Sequence, residues 1–153
     1  MRARLAECAR ELGLELHVQR LEASTRTVKD AAVAVGCQES EIAKSIVFVA
    51  DGDPVLCVAS GRHRIDTGKI ADALDAAVVR QAAAEEVRAA TGFAIGGVPP
   101  FGHELPILFD ESLLEHERVW AAAGDPHSLF EVDPRELARC VRARVVAVGD
   151  DGA

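Results

Sequence analysis

Two short apolar runs, SIVFVA (45–50) and PVLCVA (54–59), are separated only by Asp51, Gly52 and Asp53. Runs of this length, rich in β-branched residues and bounded by turn formers, read as strands. Their spacing reads as a hairpin with a short loop. SIVFVA has no polar alternation beyond its first residue, so both of its faces must be buried, which places it centrally in a sheet. A central hairpin of this kind constrains everything else, because the remaining elements must cover two faces rather than one.

The rest of the chain supplies those elements. Leu5, Cys8, Ala9 and Leu12 fall at helical spacing before Gly13, predicting a helix over 2–12. LELHVQRL then alternates like a strand. Thr27 is placed to cap a helix that ends at Gly36, with Asp30 three residues on. A short helix over DTGKIADAL, a strand at AVVRQ and a helix over AAAEEVRAATG follow. Beyond a Gly/Pro-rich loop, LPILFD, RVWAAAG and HSLFEV read as strands, the first two joined by a short helical link. Asp133 and Pro134 open a last helix as N-cap and N1, with Glu136 placed for a capping box. VVAV closes the fold and the last residues, DDGA, read as a frayed tail. Hairpins interleaved with helices predict an α+β (mixed α/β) single domain over 1–153, with its core at about 12–148. The expected architecture is a curved mixed sheet, mainly antiparallel, surrounded by about five helices.

Composition narrows the partners. The net charge of −8 argues against a broad phosphate-gripping face, so any nucleic-acid contact must be local. No apolar run approaches the ~20 residues that span a bilayer, and the start carries no secretory core, so we expect a cytoplasmic protein with no membrane partner. Cys8, Cys37, Cys57 and Cys140 form no C-x-x-C pair and read as reduced, mostly buried thiols. The histidines show no metal-ligand spacing, and neither a nucleophile elbow nor a P-loop is present.

Three stretches could carry chemistry. Lys44 is one of three lysines against fourteen arginines, and it stands at the mouth of the central strand on the face of Ile46 and Phe48. A half-buried ammonium there could polarise a carbonyl or hold a phosphate; the plainer reading is a lysine that snorkels to the strand end. The loop IGGVPPFGH (95–103) concentrates residues that permit close backbone approach and residues that fix φ. Its N–H groups could form an oxyanion site, and His103 at its exit reads as an anchor for the loop rather than a base. Arg62, His63 and Arg64 cluster just past a strand, as a phosphate contact or a solvated loop.

Taken together, EIAKSIVFVA, VLCVASGRHRID, ATGFAIGGVPPFGH and AAGDPHSLFEVDPREL closely resemble the YbaK/EbsC family over about Leu12 to Val148. These are free-standing relatives of the editing insertion of bacterial prolyl-tRNA synthetase. The resemblance implies a YbaK-like domain that hydrolyses the ester of a mischarged tRNA at its 3′ acceptor end, with no metal or cofactor. It implies Lys44 as the catalytic residue. It also matches Gly96 to Pro100 to the family's G-x-x-x-P loop. The substrate contacts we expect are Ser45, Ser60, Gly61, Gly96, Gly97, Val98, Pro99, Pro100, Phe101, Gly102, His103, Gly124 and Asp125, and a local patch of Arg62, Arg64 and Lys69 is the expected nucleic-acid contact. In that reading the glycines let main chain approach the aminoacyl ester and the prolines keep the surface rigid.

Ester hydrolysis needs little beyond positioning, an electrophilic partner and water, so the missing nucleophile–base triad is no obstacle. Val98, Pro99 and Phe101 point to a small apolar pocket for alanine-, serine-, cysteine- or proline-sized groups. Delivery by a synthetase or an elongation factor is compatible with the acidic charge, and a monomer is expected. The alternative is a non-catalytic module of the same fold that binds a nucleotide or aminoacyl group.

Overall fold

The hairpin forms where the apolar runs place it. The computed structural model describes residues 2–14, 16–22, 24–25 and 27–150. Its strands are β1 (His17–Arg20), β2 (Ile42–Ala50), β3 (Asp53–Ser60), β4 (Val79–Gln81), β5 (Ile107–Asp110), β6 (Val119–Ala122), β7 (Ser128–Val132) and β8 (Arg144–Val146). The helices are α1 (Arg2–Leu12), α2 (Val28–Val35), α3 (Thr67–Leu74), α4 (Ala84–Thr91) and α5 (Pro134–Cys140). Between β2 and β3 the register runs Ala43↔Ser60 to Ala50↔Asp53, which leaves Asp51 and Gly52 as a two-residue loop. Both have positive φ, 48° and 89°, the twist that a tight hairpin turn requires. The Asp51 carboxylate accepts the N–H groups of Ala77 and Val78, which holds it below the ordinary carboxylate range and ties the turn to the start of β4.

The strand order is β1-β7-β6-β2-β3-β5-β8, with β4 added to β2. β2 with β3, β2 with β4, β1 with β7 and β6 with β7 are antiparallel. β2 with β6, β3 with β5 and β5 with β8 are parallel. The mixed, mainly antiparallel sheet and its five helices are those expected from the sequence.

Alternation along β2 and β3 feeds two cores. Ala43, Val47, Val49, Leu56 and Val58 join Phe93, Phe109 and Phe130 on one side. Phe48, Ala50, Val55, Cys57 and Ala59 join Ile70 and Leu108 on the other. Local signals place the helices: Thr27 Oγ1 accepts the Asp30 N–H, and Gly36 and Gly92 end their helices with φ of 73° and 79°. At α5 the Asp133 carboxylate caps Arg135 N rather than forming the expected box with Glu136. Ala9 of α1 is buried, with Cys8 and Leu12 packed on the same core, whereas the Leu5 side chain and the expected tail at 151–153 lie outside the described residues. All four thiols are free, but only Cys57 is fully buried; the other three are half-buried.

The turn yields a direct test. Gly52→Ala places a Cβ at φ 89°, and we expect a loss of about 1–2 kcal/mol with no change of fold. An unchanged urea midpoint at constant m-value would show that the turn is not fixed by its backbone geometry.

Candidate functional site

β2 does not have a continuous second edge. β6 pairs with it only at Ile42 and Ala43, and β4 only from Phe48 to Ala50. Between them the edge is open, apart from the Ala82 N–H bond to the Val47 carbonyl. Main-chain groups alternate sides along a strand, so Ser45 turns its N–H and carbonyl to the same open edge as Val47. The Ser45 hydroxyl is buried and has no hydrogen-bond partner among the described residues. A cleft of about 210 Å³ occupies this gap, with Thr25 and Thr27 on one wall, Val98 and Gly96 on another, and Leu129 and Val87 among its apolar lining.

Lys44 stands at the rim. It is half-buried, and its Nζ donates to the His63 carbonyl at 2.5 Å. Burial pulls its pKa down, while the Cys57 thiol and Asp110 act in the opposite direction. On its own sheet face it borders a second hollow with Ile46, Phe48, Arg62, His63 and Arg64. Lys44 is therefore shared by an apolar cleft and a basic hollow.

Beneath it lies a buried network that the sequence reading did not find. Asp110 is 1% exposed, at the end of β5. One carboxylate oxygen accepts the Ser60 N–H at 3.0 Å and faces His63 Nδ1 at 2.9 Å; the other accepts the Ser112 N–H and hydroxyl at 3.0 and 2.8 Å. Burial pushes this carboxyl up, but the bonds from Ser60, Ser112 and His63 outweigh it and hold it below the ordinary carboxylate value. Arg62 Nε, which can only donate, lies 3.4 Å from His63 Nε2, so neutral His63 carries its proton on Nδ1 and gives it to Asp110. Its position could have been suspected from a lone carboxylate closing the apolar run LPILFD.

The Gly/Pro loop divides its work. Gly96, at φ 85°, and Val98 line the cleft. Gly97 does not approach the cleft as expected: a Cβ there would meet the Asp125 backbone at 3.1–3.2 Å, so this glycine lets the loop dock on the 124–128 turn. Thr25 holds the same turn by donating its N–H and hydroxyl to the Pro126 carbonyl at 2.6 and 3.0 Å. Pro99 and Pro100 are buried and do not line the cleft, and Phe101 packs edge-on against Phe130 with centroids 5.8 Å apart. His103 accepts the Leu105 N–H on Nδ1 at 3.4 Å and thus donates from Nε2 to the Pro99 carbonyl at 3.2 Å. The ring fastens the loop from the side away from Lys44, where it and Gly102 border a separate groove.

Of the expected substrate contacts, the structure thus brings Ser45, Gly96 and Val98 together with Lys44. Ser60 is buried, donating its hydroxyl to the Ser40 carbonyl, and Gly61 packs on Glu39 and Val28. Gly124 lies against Phe93, and Asp125 accepts from His127 N and Ser128 Oγ. Arg62 and Arg64 flank Lys44, but Lys69 points elsewhere, donating to the Gly149 carbonyl at 2.5 Å. The sequence reading missed Thr25 and Thr27, brought in by the entry to α2, and Gln81, brought in by β4. No group of three His, Cys, Asp or Glu among the described residues could hold a metal ion, and no described helix is long and apolar enough to cross a membrane.

Comparison with known proteins identifies the family. The sequence profile of the aminoacyl-tRNA editing domain matches residues 22–140. The chain is 39% identical to the uncharacterized protein YwhH of Bacillus subtilis, over 81% of this chain and 80% of that one. It is 35% identical to the proline–tRNA ligase of Solidesulfovibrio magneticus over 81% of this chain, but spans only 22% of that enzyme. Among solved structures, a candidate trans-editing enzyme for prolyl-tRNA synthetase superposes with a TM-score of 0.90 at 44% identity, covering 97% of this chain and 96% of that one.

Two outcomes follow from the geometry. Gly97→Ala must move one backbone segment away from another, and we expect a loss of about 1–3 kcal/mol in urea unfolding. An unchanged stability would mean that the loop is not docked through Gly97. For Asp110 the folded pKa is depressed, so its contribution is complete above the ordinary carboxylate value near ~3.9 and is lost as pH falls through the lower folded value. Asp110→Asn should cost about 3 kcal/mol at pH 7, and the gap to wild type should narrow below about pH 4. A gap independent of pH in denaturation at pH 7 and pH 3 would contradict this.

Proposed function

The chain belongs to the aminoacyl-tRNA editing domain family, and from that premise we propose that it is a trans-editing deacylase, hydrolysing the ester between a small amino acid and the tRNA that wrongly carries it. The observation that carries this reading is the position of Lys44, which lines both an apolar cleft and a basic hollow. An aminoacyl ester has the same two parts: an amino-acid side chain on one side of the scissile bond and a nucleotide on the other.

In this reading the aminoacyl group enters the cleft and the terminal nucleotide lies over Ile46 and Phe48, with Arg62 and Arg64 near its phosphates. The cleft is smaller than the ~300–1,000 Å³ of sites for drug-sized ligands, which supports a small side chain of the alanine, serine, cysteine or proline class. Ser45 offers its main-chain donor, acceptor and hydroxyl to the aminoacyl end. A water attacks the ester carbonyl carbon, and the carbonyl oxygen becomes an oxyanion. Collapse of that intermediate breaks the bond to the ribose oxygen, which leaves as a hydroxyl with the proton that the attacking water gives up. The Lys44 ammonium stabilises the negative charge that develops, and it does so best where burial weakens competing solvent. We place this reaction in the cytoplasm as part of the same reading, and the likeness to proline–tRNA ligases supports a synthetase as the delivering partner.

The decisive experiment is single-turnover deacylation across a matrix of mischarged tRNAs. We expect one or a few small amino acids to be removed. Lys44→Ala should abolish turnover while leaving the fold intact, and Lys44→Arg should also fail, because a planar, longer guanidinium cannot place a compact charge at the same point. Wild-type rates in Lys44→Ala would take this residue out of the mechanism, and wild-type protein that binds charged tRNA without turnover would make the chain a binding module.

A further inference from the structure

We propose that Asp110 is a positioning residue for Lys44, acting through the ring and main chain of His63. The proposal rests on the editing reading only in taking Lys44 as the catalytic group. A lysine on a four-carbon stem is mobile, and here the fixed point for its Nζ is the His63 carbonyl. That carbonyl belongs to a tight turn in which the His63 N–H bonds back to the Ser60 carbonyl at 3.0 Å. A single Asp110 oxygen holds both ends of the turn, taking the Ser60 N–H and the His63 ring. From the far side Gly149 backs the ring so closely that a Cβ there would lie 2.9 Å from it. With the ring fixed in position and tautomer, the carbonyl that faces Lys44 is fixed too.

The design exceeds what stability asks for. Buried ionic groups often contribute no more than well-packed apolar side chains of the same volume, so a carboxylate held by four donors points to a second role. Its charge also reaches Lys44 and opposes the effect of burial on the ammonium. The groups around that ammonium can be named element by element: Cys57 from β3, Asp110 from β5, Arg62, His63 and Arg64 from the loop after β3, and the uncharged Gln81 from β4 and Thr67 from α3. Asp110 is the acidic member of this set, so its removal leaves Lys44 among a thiol, a histidine and two guanidinium groups.

The test uses the full chain labelled with 13C at lysine Cε, since Lys29, Lys44 and Lys69 give only three signals to titrate. In Asp110→Asn we expect the Lys44 midpoint to move to lower pH while Lys29 and Lys69 stay in place. We expect kcat for deacylation to fall at least about tenfold with KM little changed, and the alkaline limb of the pH–rate profile to move with the Lys44 midpoint. An unchanged midpoint and kcat, or a loss of rate only in proportion to the unfolded fraction, would overturn the proposal. Should Asp110→Asn not fold, a pair at position 63 decides. His63→Asn carries an amide N–H where Nδ1–H stands and should keep most of the rate, whereas His63→Ala should lose it. Equal rates in the two variants would also overturn the proposal. A wild-type protein that deacylates no tRNA, but whose Lys44 midpoint still shifts in Asp110→Asn, would refute the editing reading and leave the link between Asp110 and Lys44 standing.

Discussion

Everything in this fold is arranged around one strand that has three partners. β2 gives its whole length to β3 on one edge and divides the other between β6 at its start and β4 at its end. Unpaired main chain in a protein interior costs free energy, and sheets normally avoid it by continuous pairing or by exposing an edge. Here the unpaired stretch is kept and walled instead, by the entry to α2, the Gly/Pro loop and β7. The cleft is therefore a consequence of topology rather than of any one side chain. The basic hollow lies on the face of Lys44, Ile46 and Phe48, while the apolar cleft at the open edge takes Ser45 and Val47 together with Lys44 and Ile46, so the two hollows meet at Lys44.

A cation at such a place needs support. Burying an ammonium disfavours its charged form; the Cys57 thiol of the second core and the Asp110 carboxylate act against that. The carboxylate is held in place because β3 and β5 are parallel neighbours, which brings Ser60 and Asp110 within hydrogen-bonding distance. The 60–65 loop carries the two arginines outward and the His63 carbonyl inward. The 148–150 segment closes over it through the Ile65–Gly149 bridge and the bonds from Asp66 N to the Val148 carbonyl and from Asp150 N to the Arg64 carbonyl. The charge of the site is thus built by elements far apart in sequence, while its apolar half is built by the loop and helix nearest the open edge.

This division explains what the sequence discloses and what it hides. The hairpin, the caps at Thr27 and Asp133 and the glycine stops at Gly36 and Gly92 depend on residues a few positions apart, so local pattern finds them. Lys44 is legible for the same reason, as a charge interrupting an apolar strand. The partners of Lys44 are not, because His63 is nineteen residues away and Asp110 lies another forty-seven beyond His63. The Gly/Pro loop was legible as a place of close backbone approach, but its sequence cannot say what is approached. At Gly97 it is the Asp125 turn and at Gly96 it is the cleft, and only the tertiary arrangement distinguishes two adjacent glycines. Ser60, Gly61 and Gly124 show the same ambiguity, since a glycine or serine after a strand serves packing as readily as it serves a ligand.

The protein's overall charge takes on a meaning from the same geometry. At −8 the chain as a whole repels a polyanion, yet Arg62 and Arg64 stand beside the half-buried Lys44. Long-range repulsion with short-range attraction disfavours binding along the length of a nucleic acid and tolerates only a terminus, where few phosphates come close and screening at physiological ionic strength acts over ~8 Å. An enzyme that must release correctly charged tRNA as readily as it samples wrong ones gains from weak body contacts. Discrimination, under the proposed function, rests on what fits the cleft beside Ser45 rather than on how long the tRNA stays. Under the proposed function, the acidic surface and the walled strand edge are two parts of one solution: the first keeps the encounter brief, and the second makes its outcome depend on the amino acid.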